Sequence, residues 1–389
     1  MVTPNQIINA DNVETLRGFP DDCIDSIVTD PPYGLSFMGK RWDYDVPSVE
    51  LWQECLRVLK PGGHLLAFAG TRTQHRMAVR IEDAGFEIRD MIAWVYGSGF
   101  PKSLDVSKAI DKAAGAEREQ RWKPVTARSS VGTLEPRPWL DEARKNGGCF
   151  IDGEAPSTEA AKQWQGWGTA LKPALEPITV ARKPLSGTVA ENVLQHGTGA
   201  VNVDGCRVDY NGETPSGWFN ETERKNAGFK LTAGSSSKIT STPSTGRWPA
   251  NLIHDGSDEV TDLFPETSPA KAAQRGAAIN GAIFKSPEYA STVRGHDDAG
   301  GSAARFFYCA KADGAERRNS RHPTVKPVAL MRYLVRLVTP VGGIVLDPFG
   351  GSGTTAEAAR LESCRYILIE REAEYCRDAA ERLRQGVLF

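Results

Sequence analysis

The stretch Gly343-Ile344-Val345-Leu346-Asp347-Pro348-Phe349-Gly350-Gly351-Ser352-Gly353-Thr354-Thr355 decides how this chain folds. Gly343–Leu346 reads as a buried strand, and a helix is expected from about Thr354. Between them, Gly350, Gly351 and Gly353 let the backbone turn sharply and approach a ligand closely. A glycine-rich turn from strand to helix is the usual seat of a nucleotide-like group. The spacing is not Gly-x-Gly-x-x-Gly, and no Gly-Lys-Ser/Thr follows. A Walker-type phosphate loop is therefore excluded and a nicotinamide dinucleotide disfavoured. Tyr366–Ile369 reads as the next strand. Glu370 ends it, 23 positions after Asp347, where an acid can accept hydrogen bonds from ribose hydroxyls.

Outward from that turn, Val328–Val338 carries apolar residues at 328, 331, 335 and 338, one helix face, and Glu372–Arg384 reads as a closing helix. At the other end of the chain, Cys23–Thr29 is a short strand running into Asp30-Pro31-Pro32-Tyr33. Leu51–Leu59 reads as a helix ended by Lys60-Pro61-Gly62-Gly63, followed by strands at His64–Ala69 and Ile88–Tyr96. Strands alternating with helices favour a parallel sheet with helical crossovers. Each end of the chain is half of such a sheet, and joining them gives one α/β domain.

Residues 98–174 change texture, with repeated Pro, Gly and Trp and a helix expected around Leu104–Ala116. Glu176–Arg182 reads as a further strand. Residues 186–304 are the least regular, with loop-like runs such as GSSSKITSTPSTG. Order returns near Arg305, with a strand expected at Phe306–Ala310.

The 389 residues suffice for two or three domains; 25% are charged and the formal net charge is -2, which argues against a histone-like polycation. Seven cysteines without a Cys-x-x-Cys pair and six scattered histidines make a structural zinc site unexpected and fit a reducing, cytoplasmic setting. No metal site is assigned. No apolar run approaches the ~20 residues needed to span a bilayer. The start MVTPNQIINADNVETL lacks a basic segment followed by an apolar core, so no signal peptide and no membrane partner are expected.

Asp30-Pro31-Pro32-Tyr33 carries specific chemistry. The exocyclic amine of a base is a poor nucleophile because its lone pair is delocalised into the ring. Two acceptors aimed at its protons pull the nitrogen towards tetrahedral geometry. The Asp30 carboxylate can be one, and a carbonyl held by the rigid Pro31-Pro32 pair the other. The carboxylate also opposes the positive charge that develops as the nitrogen attacks a sulfonium methyl. Tyr33 offers a flat face for stacking.

With these strings in place, the chain resembles the beta group of DNA amino-methyltransferases, which use S-adenosylmethionine. Those proteins carry a DPPY-like motif first, then a target-recognition region, then the cofactor motif, and this chain follows that permuted order. Arg321-His322-Pro323-Thr324-Val325-Lys326-Pro327 resembles the family's His-Pro-Thr-x-Lys-Pro element, and residues 56–68, LRVLKPGGHLLAF, also look like the family. The resemblance covers about residues 5–96 and 305–389, with a fragment near 172–185.

It implies a Rossmann-like α/β methyltransferase with a mixed, mostly parallel sheet, circularly permuted motif order and an irregular inserted target-recognition region. The implied division is a catalytic half at 1–97, an insertion at 98–174, a returning strand of the sheet at 175–185, a recognition region at 186–304 and a cofactor-binding half at 305–389. Asp30, Pro31, Pro32 and Tyr33 would engage the target amine and base. Asp347, Phe349, Gly350, Gly351 and Gly353 would surround the methionine and ribose of S-adenosylmethionine, with Thr324 and Lys326 near its carboxylate. Glu370 would hold the ribose, and Asp11 would sit near the adenine or serve simply as a turn residue.

A base inside a duplex cannot reach a buried cofactor, so the target in double-stranded DNA must be flipped out. Arg305, Lys311, Arg317, Arg318, Arg321, Lys326, Arg332 and Arg336 outnumber Asp313 and Glu316 by six charges between 305 and 336, and some can face phosphates. Trp218 and Trp248 can wedge into DNA or, more in keeping with their type, anchor loops. His254 and His296 lack partners at ligand spacing and take no role.

The leading expectation is methylation of adenine N6, because the family tends to place Asp first in this motif for adenine and Ser for cytosine. Cytosine N4 is the close alternative. A protein amide or RNA base is disfavoured by the permuted order and long middle region. A silent DNA-binding scaffold is disfavoured by the intact Asp30, Tyr33 and glycine turn. A homodimer and a restriction nuclease on a separate chain are left open as partners.

Overall fold

The computed structural model describes residues 2–35, 43–99, 103–124, 142–143, 145–153, 155–209, 246–269, 273–275, 292–294, 300–310 and 325–385. The expectations at Trp218, His296, Lys311, Arg317, Arg318, Arg321 and Thr324 lie outside the described residues. The chain divides into two compact units, one of residues 1–97 with 175–389 and one of residues 98–174.

In the larger unit nine strands make one sheet: β1 (Gln6–Asn9), β2 (Ile24–Thr29), β3 (Leu59–Phe68), β4 (Glu87–Val95), β5 (Leu175–Arg182), β6 (Leu252–His254), β7 (Tyr308–Cys309), β8 (Ile344–Asp347) and β9 (Arg365–Glu370). Their spatial order is β1-β9-β8-β2-β3-β5-β4-β6-β7. β5 runs antiparallel to both neighbours, and every other pair is parallel. The sheet is therefore mixed and mostly parallel, as expected.

The central strands are apolar on both faces because both are covered. Ile27, Leu65 and Leu346 join one core cluster with Leu51, Trp52 and Met77, from helices α2 (Val49–Val58) and α3 (Gln74–Asp83). Their chain neighbours Val28, Leu66 and Val345 point the other way, to Leu330, Met331 and Leu334 of α5 (Val328–Val338). Alternate residues of a strand face opposite sides of the sheet, which produces this sorting. The remaining helices of this unit used below are α1 (Asn12–Arg17), α4 (Val189–His196), α6 (Thr354–Leu361) and α7 (Ala373–Gln385).

Three local readings change in detail. α2 ends at Val58, just before Lys60-Pro61-Gly62-Gly63, and these residues open β3, which starts earlier than the expected His64. Gly62, at φ 76°, approaches Gly199 and Leu185 so closely that a Cβ would not fit, and Asn192 Nδ2 donates to Pro61 O at 2.9 Å. The strand expected over Phe306–Ala310 is shorter: Ala303–Phe306 is a 3-10 turn started by Ser302, whose Oγ accepts from Ala304 N, and only Tyr308–Cys309 pairs. Within 186–304, Leu252–His254 belongs to the main sheet, beside β4.

The smaller unit contains helices Val106–Ala113 and Glu159–Gln163 and a hairpin of Gln120–Pro124 against Gly148–Asp152. Its interior is polar. Arg118 Nε lies 2.7 Å from Asp111 Oδ2, and Asp111 also accepts from the backbone of Ser157 and Thr158. The helix expected at Leu104–Ala116 starts later, because Asp105 caps it by accepting from Lys108 N.

β8 lies beside β2, with Val345 opposite Ser26 and Leu346 opposite Ile27. Side chains lock this pair at both ends. Asp25 Oδ2 accepts from Ile344 N at 2.7 Å, and Thr29 Oγ1 donates to Asp347 Oδ1 at 2.6 Å. Thr29 and Asp347 are both buried. Thr29→Val removes a donor from a buried carboxylate and should destabilise the chain by about 1–3 kcal/mol. Urea unfolding with a lower midpoint and unchanged slope is the expected result; an unchanged midpoint refutes the clasp.

Candidate active site

Parallel strands bring their carboxyl ends to one edge, and a cavity of about 300 Å³ opens there. Its walls include Asp11, Asp30, Pro31, Pro32, Tyr33, Glu176, Lys326, Asp347, Phe349, Gly350, Gly351 and Glu370. Residues 30–33 and the glycine turn therefore share one pocket, despite lying more than 300 positions apart in the chain.

On the turn side, Gly350 packs so tightly that a Cβ would reach within 3.0 Å of Leu368 Cβ. Gly351, at φ 48°, donates its N–H to Glu370 Oε2 at 2.8 Å, and Glu372 N donates to Glu370 Oε1 at 2.8 Å. Burial pushes the Glu370 carboxyl above its ordinary pKa, against these amide donors. Gly353, at φ 82°, is not on the cavity wall; it starts α6, where a Cβ would collide with Ala379. Asp11 caps α1, accepting from Val13 N and Glu14 N, so it serves as a turn residue that also faces the cavity. Asn12 Nδ2 donates to Pro348 O at 3.1 Å and ties α1 to the turn.

Asp347 is a clasp. Its carboxylate accepts from Thr29 Oγ1 at 2.6 Å, Thr355 Oγ1 at 2.6 Å and Phe349 N at 3.0 Å. Burial outweighs these donors and pushes its pKa up to about 6.

On the amine side, Tyr33 Oη donates towards Asp30 Oδ1 at 2.7 Å and Glu176 Oε2 at 3.1 Å. Lys326 Nζ donates to Asp30 Oδ2 at 2.6 Å and to Tyr33 Oη at 3.1 Å, and lies 3.3 Å from Glu176 Oε2. Burial, with the neighbouring Asp30 and Glu176, holds the Tyr33 pKa well above its ordinary value, so the hydroxyl stays protonated. For Lys326, burial favours the neutral form, but the two carboxylates outweigh it and raise the pKa. The backbone of this loop is fixed by two residues beyond the motif. Asp43, buried, accepts from the N–H groups of Tyr33, Gly34 and Leu35, and Thr73 Oγ1 donates to Tyr33 O at 2.6 Å.

Lys326, expected near the cofactor's carboxylate, lines the cavity, and the turn opening α5 brings its ammonium to Asp30 and Glu176. Glu176, Asp43, Thr73 and Asn12 escaped the sequence reading. The first had a weak signal, as the one acid in the strand EPITVAR, at its head.

Four residues of the expected phosphate-facing cluster, Arg305, Lys326, Arg332 and Arg336, are described. Besides Lys326, Arg332 and Arg336 form ion pairs with Glu362. Arg305 donates to Gly301 O and Ser302 O, and its guanidinium lies over the Phe306 ring. Trp248 does not anchor a loop internally: it is 66% exposed, with Arg207 over its ring. His254 is structural, with Nδ1 accepting from Gly256 N and Nε2 beside Ala304 O. Among the described residues no group of His, Cys, Asp and Glu has metal-holding geometry.

A mostly parallel sheet with a glycine-rich ligand turn after a central strand is the frame of a methyltransferase. The chain belongs to the N6/N4 DNA methylase family, whose model matches residues 24–127 and 207–381, and it is a DNA methyltransferase. It is similar to the Type II methyltransferase M.HindIII of Haemophilus influenzae, at 25% identity across 97% of this chain and 94% of that protein. The putative methylase YubD of Escherichia coli is 46% identical over 65 residues, which are 17% of this chain and 29% of YubD. Among solved structures, the M1.HpyAVI–SAM complex aligns over 97% of this chain and 98% of its own, at 16% identity and a TM-score of 0.40. PvuII DNA methyltransferase (cytosine-N4-specific) aligns over 98% and 87%, at 15% identity and a TM-score of 0.43.

The Asp347 clasp makes a pH prediction. Its folded pKa, about 6, lies above the ordinary carboxylate value, so folding favours the protonated form. The stability it contributes is fully present below pH ~4, and up to about 3 kcal/mol of it is lost as the pH rises through 6. Asp347→Asn lacks this titration. The stability of the wild-type chain relative to the variant should therefore fall between pH 4 and 6 and level off above. Parallel curves across that range in denaturant titrations rule the assignment out.

Proposed function

We propose that this chain transfers the methyl group of S-adenosylmethionine to the exocyclic N6 amine of adenine in double-stranded DNA, after the base is flipped out. The observation that carries the reading is the shared cavity of the Asp30–Tyr33 motif and the Asp347–Gly353 turn. The cavity suits the cofactor chemically. Glu370 offers carboxylate oxygens for ribose hydroxyls, the close backbone at Gly350 and Gly351 lets a ligand approach, and Phe349 adds an apolar wall. When bound, S-adenosylmethionine supplies an electrophilic methyl group on a sulfonium sulfur.

The chain's own residues do the rest. Asp30 accepts a hydrogen bond from the amine, using lone pairs left free by Tyr33 and Lys326, since each carboxylate oxygen has two. The carbonyl of Pro31, held by the following proline, is the second acceptor. Together they favour the tetrahedral, nucleophilic nitrogen and oppose its developing positive charge. The Tyr33 ring stacks on the base. Asp at the first motif position favours adenine. The reading puts the protein in the cytoplasm of a bacterial or phage-infected cell; no described helix is long and apolar enough to cross a membrane.

The test is incubation of the protein with labelled S-adenosylmethionine and varied duplex DNA, followed by mass spectrometry of the nucleosides. Label on N6-methyladenine is expected. Label on N4-methylcytosine overturns the base assignment, and cofactor binding without any label points to a silent scaffold. Asp30→Ala should lower transfer by about 100- to 1,000-fold. It should leave cofactor binding intact, because Lys326 keeps Glu176 as a partner. Equal loss of both would remove Asp30 from its assigned role.

A further inference from the structure

β5 is the sheet's antiparallel strand among the described residues, so its first residues arrive at the edge where the parallel strands end. Glu176, second in β5, is thereby delivered beside Asp30, which follows the last residue of β2. It is held on both sides, with Tyr96 Oη donating to Oε1 at 3.3 Å and Tyr33 Oη near Oε2 at 3.1 Å. Lys326 Nζ lies 2.6 Å from Asp30 and 3.3 Å from Glu176, so one ammonium is shared between two carboxylates. The lysine side chain is only 8% exposed, and solvent screens the group little.

The charge count matters. Two carboxylates, one ammonium and a neutral phenol leave an excess of one negative charge. Without Glu176, Lys326 would cancel Asp30. In methyl transfer the amine lone pair forms the N–C bond and the electrons of the broken C–S bond stay on sulfur. Positive charge thus moves from sulfur to the nitrogen held against Asp30, which afterwards releases a proton to solvent. A cluster of zero net charge around the amine gains little from that movement; one carrying a negative charge in direct contact with the nitrogen favours it.

Resting on the function proposed above, we propose that Glu176 is a positioning residue for methyl transfer. By sharing the Lys326 ammonium with Asp30, it keeps Asp30 an effective acceptor and the amine site net negative.

Single-turnover transfer of label to DNA by the full chain, with S-adenosylmethionine binding measured by calorimetry, tests this. Glu176→Gln should slow transfer roughly 10- to 100-fold, one step milder than loss of a directly contacting group, with cofactor affinity within about threefold. Glu176→Asp keeps the charge and should recover part of the rate. Adding Lys326→Met to Glu176→Gln restores the excess of one negative charge and should be faster than Glu176→Gln alone, a recovery that a merely structural role would not produce. A wild-type rate in Glu176→Gln overturns the inference, as does a slow variant that neither Glu176→Asp nor the double substitution relieves. Wild-type protein that binds cofactor but labels no DNA would instead overturn the functional reading beneath it.

Discussion

The hydrogen bond between Thr29 and Asp347 joins the two strands whose ends open the cavity, and the cavity's geometry depends on it. The two residues end adjacent parallel strands and are 318 positions apart in the chain. Each is followed at once by a segment that lines the cavity, Asp30–Tyr33 on one side and Pro348–Ser352 on the other. A slip between β2 and β8 would move these segments past each other, and a one-residue slip would invert every side chain on the moving strand. The Asp347 carboxylate resists such a slip because it also accepts from Thr355, which holds the start of α6 in place. Burial disfavours the charge of this carboxylate and raises its pKa, and the three donors offset that cost only in part.

A second constraint follows from strand direction. The parallel strands β1, β2, β8 and β9 offer the site their final residues or those just beyond. The antiparallel β5 offers its beginning, and that is where Glu176 stands. Lys326 comes from a third direction, the turn into α5. Three separate elements thus place three charges within hydrogen-bond reach of Tyr33, with one ammonium shared between two carboxylates. Asp43 and Thr73 fix the Tyr33 backbone, so the motif loop is held at both its main chain and its hydroxyl.

Much of this was legible in the sequence, for identifiable reasons. IDSIVT, IVLD and RYILIE announce themselves because each strand covered on both faces holds a short run of large apolar residues, and each ends on or just before an acid, Asp30, Asp347 or Glu370. The two motifs were readable because each is contiguous. Leu252–His254 was not, since three residues are too few for a period to show. Lys60–Gly63 looked like punctuation because proline and glycine usually are; tertiary contacts with Asn192 and Lys183 make it strand instead. The partner of Lys326 was missed because Glu176 lies 150 positions away in an unremarkable strand, and only the fold brings them together.

Chain order places little restriction on such a site. The sheet requires β2 beside β8, but the hydrogen bonds of the pair carry no record of how the strands are connected. The entropy of closing a loop rises only with the logarithm of its length, about 0.6 kcal/mol for each doubling. A net buried hydrogen bond contributes about 1 kcal/mol, and more when one partner is charged. The Thr29–Asp347 bond alone therefore offsets one or two doublings of the excursion between the motifs. That leaves room for the whole 98–174 unit to lie between the motifs without loosening the edge. That unit can vary in length at little cost, whereas Thr29, Asp347 and the register between their strands cannot.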